Sequence, residues 1–148
     1  MDIASFLSQN NIVLDVRTSD KTKLLQDLCV QAAGEVALDP HVVSTEILKR
    51  EDLGSTGVGS GVAIPHARIP GLNKPFGILA RLRKPLDFAA IDGQPVDLVF
   101  LLLLPGSVGS QQLNALATVA RQLRKPGVTL TLRKVRDNGE AYKALLAK

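Results

Sequence analysis

Val96–Leu104 reads VDLVFLLLL, a stretch in which Asp97 is the only polar residue. Its apolar part falls far short of the roughly 20 residues that a membrane helix needs. It suits a strand covered on both faces, and such a strand requires layers on either side. The flanking sequence supplies them. Upstream, Phe76–Arg83 alternates as a half-buried strand should, Val62–Ile64 is a short apolar strand ended by Pro65, and Asn11–Val16 is rich in β-branched residues. Thr18-Ser19-Asp20 offers N-cap chemistry for a helix through about Ala33, with Leu24, Leu25, Leu28 and Cys29 inward. Asp39-Pro40 starts a second helix, which should run to Leu53 and stop at Gly54. Downstream, Gln111–Leu123 places Leu113, Leu116, Ala117, Ala120 and Leu123 on one helical face. From Asp137 a last helix turns Tyr142, Leu145 and Leu146 inward. Val128–Val135 fits a strand and a helix equally well. Strands alternating with helices predict an α/β layer structure, whose strand order the sequence does not reveal.

The 148 residues suit one domain with one core, built mainly from Leu, Val, Ile and Ala. Cys29 is the sole cysteine, which rules out an intramolecular disulfide and any multi-cysteine metal site; its apolar helical setting reads as structural burial. Met1–Asn11 lacks a basic start followed by an apolar run, so a soluble, cytosolic protein is expected. The net charge of +4 comes mostly from the C-terminal third. Those cations lie at helix-surface spacing with almost no aromatic residues to stack bases. They read as a solvated face rather than a nucleic-acid site.

Arg50–Leu72 reads REDLGSTGVGSGVAIPHARIPGL. Gly54, Gly57, Gly59 and Gly61 allow sharp turns and close approach of main-chain N–H groups, and Ser55, Thr56 and Ser60 add hydroxyl donors. Such a nest suits an anion, above all a phosphate. Arg50 and Arg68 flank it and could grip phosphate oxygens. His66 follows Pro65, and a histidine titrating at an ordinary value is largely neutral and nucleophilic near neutral pH. A histidine beside an anion nest can attack a phosphoryl group and hold it covalently. The plainer reading, a turn-forming loop followed by a structural histidine, stands beside this one. Nucleotide motifs fail: the Gly-Lys-Ser/Thr ending is absent, Val62 takes the third glycine position of a dinucleotide fingerprint, and Val58 and Val62 replace the glycines of a serine-hydrolase elbow.

GSTGVGSGVAIPHARIPGL closely resembles the active-site signature of the fructose/mannitol-type enzyme IIA family of the bacterial phosphotransferase system, and its wording is most similar to the nitrogen-regulatory branch. LDFAAIDGQPVDLVFLLLLP (Leu86–Pro105) resembles the following strand region, so the likeness spans about Ile3 to Leu146. The resemblance implies a single α/β domain over residues 1–148, with a mixed sheet flanked by helices on both faces. It favours helix for Val128–Val135. It also implies that His66 accepts a phosphoryl group from a phosphohistidine on an HPr-like carrier. By the same resemblance Arg50 lies nearby, and Ser55, Thr56, Gly57, Gly59 and Ser60 surround the phosphoryl site. No cofactor or metal, no nucleic acid and no membrane is implied. Where relatives carry a second histidine, alignment places Gln112, which can donate an N–H but cannot become cationic. His41, the other histidine, has no signature around it and reads as a surface residue.

The resemblance makes the chain a phosphotransferase intermediate whose phosphorylation state regulates other proteins. A binding regulator without phosphorylation and an enzyme IIA component of sugar uptake are the alternatives.

Overall fold

The computed structural model describes residues 2–107 and 110–148, except the side chains of 110–113. Its strands are β1 (Ile12–Val16), β2 (Gly57–Gly59), β3 (Val62–Ala63), β4 (His66–Ile69), β5 (Phe76–Leu86) and β6 (Val96–Pro105). Its helices are α1 (Lys21–Val36), α2 (Pro40–Asp52), α3 (Ser110–Leu123), α4 (Pro126–Lys134) and α5 (Asn138–Leu146). The sheet order is β1-β5-β6-β3-β2, and β4 also pairs with β6. Pairing is parallel for β1 with β5 and for β3 and β4 with β6; it is antiparallel for β5 with β6 and β2 with β3. The sheet is therefore mixed.

The run that first suggested layers behaves as expected. Along β6, Val99, Leu101 and Leu103 enter one core, while Leu98, Phe100, Leu102 and Leu104 enter the other. None of these seven is more than 6% exposed. The first core is closed by α1 and α2, the second by α3, α4, α5 and the N-terminal turn bearing Ile3, Phe6 and Leu7. Period-two side-chain alternation on one strand thus feeds two helical layers.

Capping fixes the helix starts. Asp20 accepts from the Thr22 and Lys23 N–H groups, Asp39 from that of His41 and Asp137 from that of Glu140. α1 runs past the expected Ala33 to Val36, because Gly34 is exposed and tolerated, and it ends where Ala37 turns left-handed at φ 57°. The ambiguous stretch Val128–Val135 resolves as helix up to Lys134, with Val135 extended beyond it: Val128 and Leu132, four apart, are buried, whereas Leu130 is 54% exposed.

Two helical faces differ from expectation. Ala117 is exposed, because the buried stripe of α3 runs through Ala115, Thr118, Val119, Gln122 and Leu123. Gln122 can be buried because its amide donates to Leu145 O at 2.6 Å and Ala147 O at 2.8 Å. Leu146 is 36% exposed, while Ala141, Ala144 and Leu145 take the inward positions of α5. Leu113 lies outside the described side chains. Among the described residues no helix is long and apolar enough to cross a membrane.

Candidate functional site

Pro65 interrupts the edge of the sheet without ending it. Its carbonyl accepts from Leu102 N at 2.9 Å, and the chain resumes pairing with β6 at His66, which lies opposite Leu102. The strand expected to end at Pro65 does so, β3 closing at Ala63 and β4 opening at His66. His66 is half-buried, and its Nδ1 lies 2.7 Å from Ile64 O. A carbonyl oxygen only accepts, so this contact assigns the proton of the neutral ring to Nδ1 and leaves the lone pair on Nε2.

Two arginines belong to the same region. α2 packs against β4, and Arg50 in its last turn donates from Nη1 to Gly54 O at 2.9 Å, tying the helix end to the loop that follows. Arg68 stands two residues beyond His66 on β4, hence on the same face of the strand and about 7 Å along it. It is exposed and makes no hydrogen bond or ion pair with the described residues.

The glycine loop is less open than the sequence suggested. Gly57–Gly59 and Val62–Ala63 form a short hairpin whose connecting residues, Ser60 and Gly61, have φ of 57° and 79°. Two positive φ values are what a tight I′-type turn requires. Several donors expected to face a phosphate are committed inside the protein. Thr56 N and Oγ1 donate to the Glu51 carboxylate at 2.9 and 2.5 Å. Ser55 Oγ donates to Phe88 O at 2.5 Å and accepts from Gly57 N at 3.0 Å. Ser60 N donates to Asp92 Oδ2 at 2.9 Å. Gly57 is needed for packing, since a Cβ there would come within 2.7 Å of Ala90 Cβ. The same Asp92 carboxylate lies 3.3 Å from where a Gly59 Cβ would stand. The Ser60 N–H, and after it that of Gln94, hold the exposed Asp92 carboxyl below its usual value.

Sequence reasoning missed the residue around which this loop is built. Glu51 is buried and receives, besides Thr56, the Lys21 ammonium at 2.8 Å. Lys21 also donates to Phe88 O at 3.2 Å and lies 4.7 Å from the centre of the Phe88 ring. Thr56 O accepts from Ile64 N at 3.0 Å, so the network reaches the residue whose carbonyl holds His66. The only sequence signal was an acidic residue five positions before a threonine. Gln112 falls in the first turn of α3, and its side chain lies outside the described residues. His41 is exposed at the start of α2. Cys29 is buried, which pushes its thiol up to about 12.

Fold and site together define a small α/β protein organised round one tethered histidine with arginines on its flanks. The chain belongs to the type 2 EIIA family of the phosphoenolpyruvate-dependent sugar phosphotransferase system, whose family profile matches residues 5–148. Its relatives place it in the nitrogen-regulatory branch. It is 43% identical to the nitrogen regulatory protein of Bradyrhizobium diazoefficiens over 145 residues, covering 98% of this chain and 95% of that protein. It is 34% identical to the nitrogen regulatory protein of Escherichia coli K12 over 146 residues, covering 98% and 90%. The crystal structure of nitrogen regulatory protein IIA-Ntr from Neisseria meningitidis superposes with a TM-score of 0.91 at 34% identity, covering 97% of this chain and 98% of that one.

Proposed function

We propose that the chain, acting as one EIIA domain over residues 1–148, is a cytosolic phosphohistidine carrier of the nitrogen-type phosphotransferase system. It accepts a phosphoryl group on His66 Nε2 from an HPr-like protein, and its phosphorylation state regulates other proteins. The observation that carries this reading is the 2.7 Å contact between His66 Nδ1 and Ile64 O. That bond keeps the ring in one tautomer with a free nucleophilic nitrogen, the arrangement that nucleophilic catalysis by histidine requires. The Nε2 lone pair attacks the phosphorus held on the donor's histidine. The donor's P–N bond breaks, its electron pair returning to the donor ring, and the new P–N bond forms on His66. The Nδ1 proton stays in place, and Ile64 O offsets the positive charge that the ring gains. Arg50 has donors beyond the one given to Gly54 O, and Arg68 has no partner among the described residues. Both can offset charge on the transferring oxygens. Ser55, Thr56, Gly57, Gly59 and Ser60 serve by fixing the loop against Phe88 O, the Glu51 carboxylate, β3 and Asp92, and Gln112 donates its amide to a phosphoryl oxygen from the start of α3.

The test is intact mass after incubation with phosphoenolpyruvate, enzyme I and an HPr-type carrier. Wild type gains one acid-labile phosphoryl group and His66→Ala gains none. A folded wild-type protein that takes up no phosphoryl group from any cognate donor would instead be a binding regulator. Transfer onward to a sugar-type IIB domain would favour the uptake reading. Gln112→His should change the transfer rate or the lifetime of phospho-His66; identical rates in both assays would dismiss a role for Gln112.

A further inference from the structure

The end of the molecule formed by α3 and α4 carries a charge pattern that the phosphoryl chemistry does not use. Between Leu98 and Arg136 the chain contains Arg121, Arg124, Lys125, Arg133, Lys134 and Arg136 and not one acidic residue. Here the two helices meet the β2–β3 hairpin and leave a cleft of about 570 Å³. Val58 of the hairpin, Ala120 and Leu123 of α3, and Thr129 and Leu130 of α4 line it. Val58 is 53% exposed and Leu130 54%, so two branched apolar side chains face water within one concavity.

Arg124 is the cation this cleft offers. Its guanidinium has no partner among the described residues. Arg133 also lines the cleft, but it is occupied by Asp97, at 2.9 Å from Nε to Oδ2, and by Ser60 O at 2.8 Å. The acidic groups nearby are engaged as well, Asp97 by Arg133 and Asp92 by the Ser60 and Gln94 N–H groups. The result is an apolar floor with an uncompensated positive rim. Ser60 is six residues from His66, so a ligand at the hairpin turn lies at most about 20 Å along the chain from the ring.

We propose that this cleft docks an acidic amphipathic segment of a partner protein, apolar side chains resting between Val58 and Leu130 and carboxylates facing Arg124. Charge complementarity selects that occupant. A second copy of this chain would bring its own net charge of +4. Nucleic acid would meet an apolar floor without aromatic rings to stack on, and Lys125 is turned aside to Gln122 Oε1 at 2.6 Å.

The test is a titration of ¹⁵N-labelled protein with a helical peptide of about 14 residues that carries a leucine stripe and glutamates on its other face. The same peptide with lysine for every glutamate, and a DNA duplex of about 20 base pairs, are titrated in parallel. The glutamate peptide should move the amides of Val58, Ala120, Leu123 and Leu130 saturably. Arg124→Glu should weaken it about tenfold and Leu130→Ala severalfold, while Arg17→Glu, a charge change at another surface, leaves it unchanged. Four results overturn the proposal: no saturable shifts in the cleft, equal binding of the lysine peptide, equal loss with Arg17→Glu, or tighter binding of the duplex through the same residues.

Discussion

The Glu51 side chain is 5% exposed, yet it gathers one ammonium group and two donors from Thr56. A carboxylate taken out of water to this extent costs several kcal/mol unless such partners compensate it, and these do. Replacing it with glutamine keeps the volume but removes the charge. The amide nitrogen must then face Thr56 Oγ1, which has to turn from donating to accepting, and the ion pair with Lys21 is lost. Glu51→Gln is therefore expected to lower unfolding free energy by about 2–3 kcal/mol in a urea titration. Lys21→Met should cost less, since Lys21 is 25% exposed and Thr56 still satisfies the carboxylate. The variant should also slow phosphoryl transfer to His66, because Thr56 O holds Ile64 N and Ile64 O holds the ring. Unchanged stability and rate in Glu51→Gln would sink the view that this network positions the site. His66 stood out in the sequence because it lies inside the signature GSTGVGSGVAIPHARIPGL, where a glycine-rich loop leads to a histidine. Glu51 did not, since nothing in a sequence distinguishes a buried glutamate from a solvated one.

At the scale of elements, the strand β6 could be read because both its faces are apolar from Leu98 onward, whereas β2 and β4 could not. Their residues include two glycines and an entry through Pro65, which read as punctuation; their strand character comes from pairing with β3 and β6. The face of α3 was misassigned at Ala117 for a related reason. Thr118 and Gln122 occupy the buried stripe, and hydrogen bonds, among them those to Asn114 O, Leu145 O and Ala147 O, make that tolerable. The β2–β3 hairpin owes its turn to Asp92, which grips Ser60 N from a separate loop. Since those N–H donors depress the Asp92 carboxyl, the contact is fully present above the ordinary aspartate value of about 3.9 and is lost as pH falls through the lowered one. The Ser60 and Gln94 amide shifts should titrate together with a midpoint below about 3.9. Asp92→Asn should abolish that transition. A midpoint at or above the ordinary value would mean that the carboxylate does not hold the turn in solution.

For the whole molecule, the sheet is the shared wall of two cores that otherwise have separate helices. Ile78 and Leu79 are adjacent on β5, 0% and 1% exposed, and point to opposite sides: Ile78 to the core under α1 and α2, Leu79 to that under α3, α4 and α5. If the wall transmits strain as close-packed interiors do, neither core can melt while the other stays native. The candidate site spans this wall, since His66 and Leu102 pair within it while Arg50 belongs to α2 in one helical layer and α3 begins in the other. Tyr142, the single tyrosine, sits on α5 and packs against the second core, so its fluorescence reports on that side alone, while far-UV circular dichroism reports on every helix. Ile78→Ala and Leu79→Ala should each cost about 2–5 kcal/mol, the range for deleting a fully buried aliphatic side chain. In both variants the fluorescence and dichroism midpoints in urea should shift together, although only Leu79 shares a core with the tyrosine. Should Ile78→Ala lower the dichroism midpoint and leave the tyrosine transition where it was, the two layers unfold separately. Glu51 and Lys21, both contributed by the first layer, could then be released while the second layer remains folded.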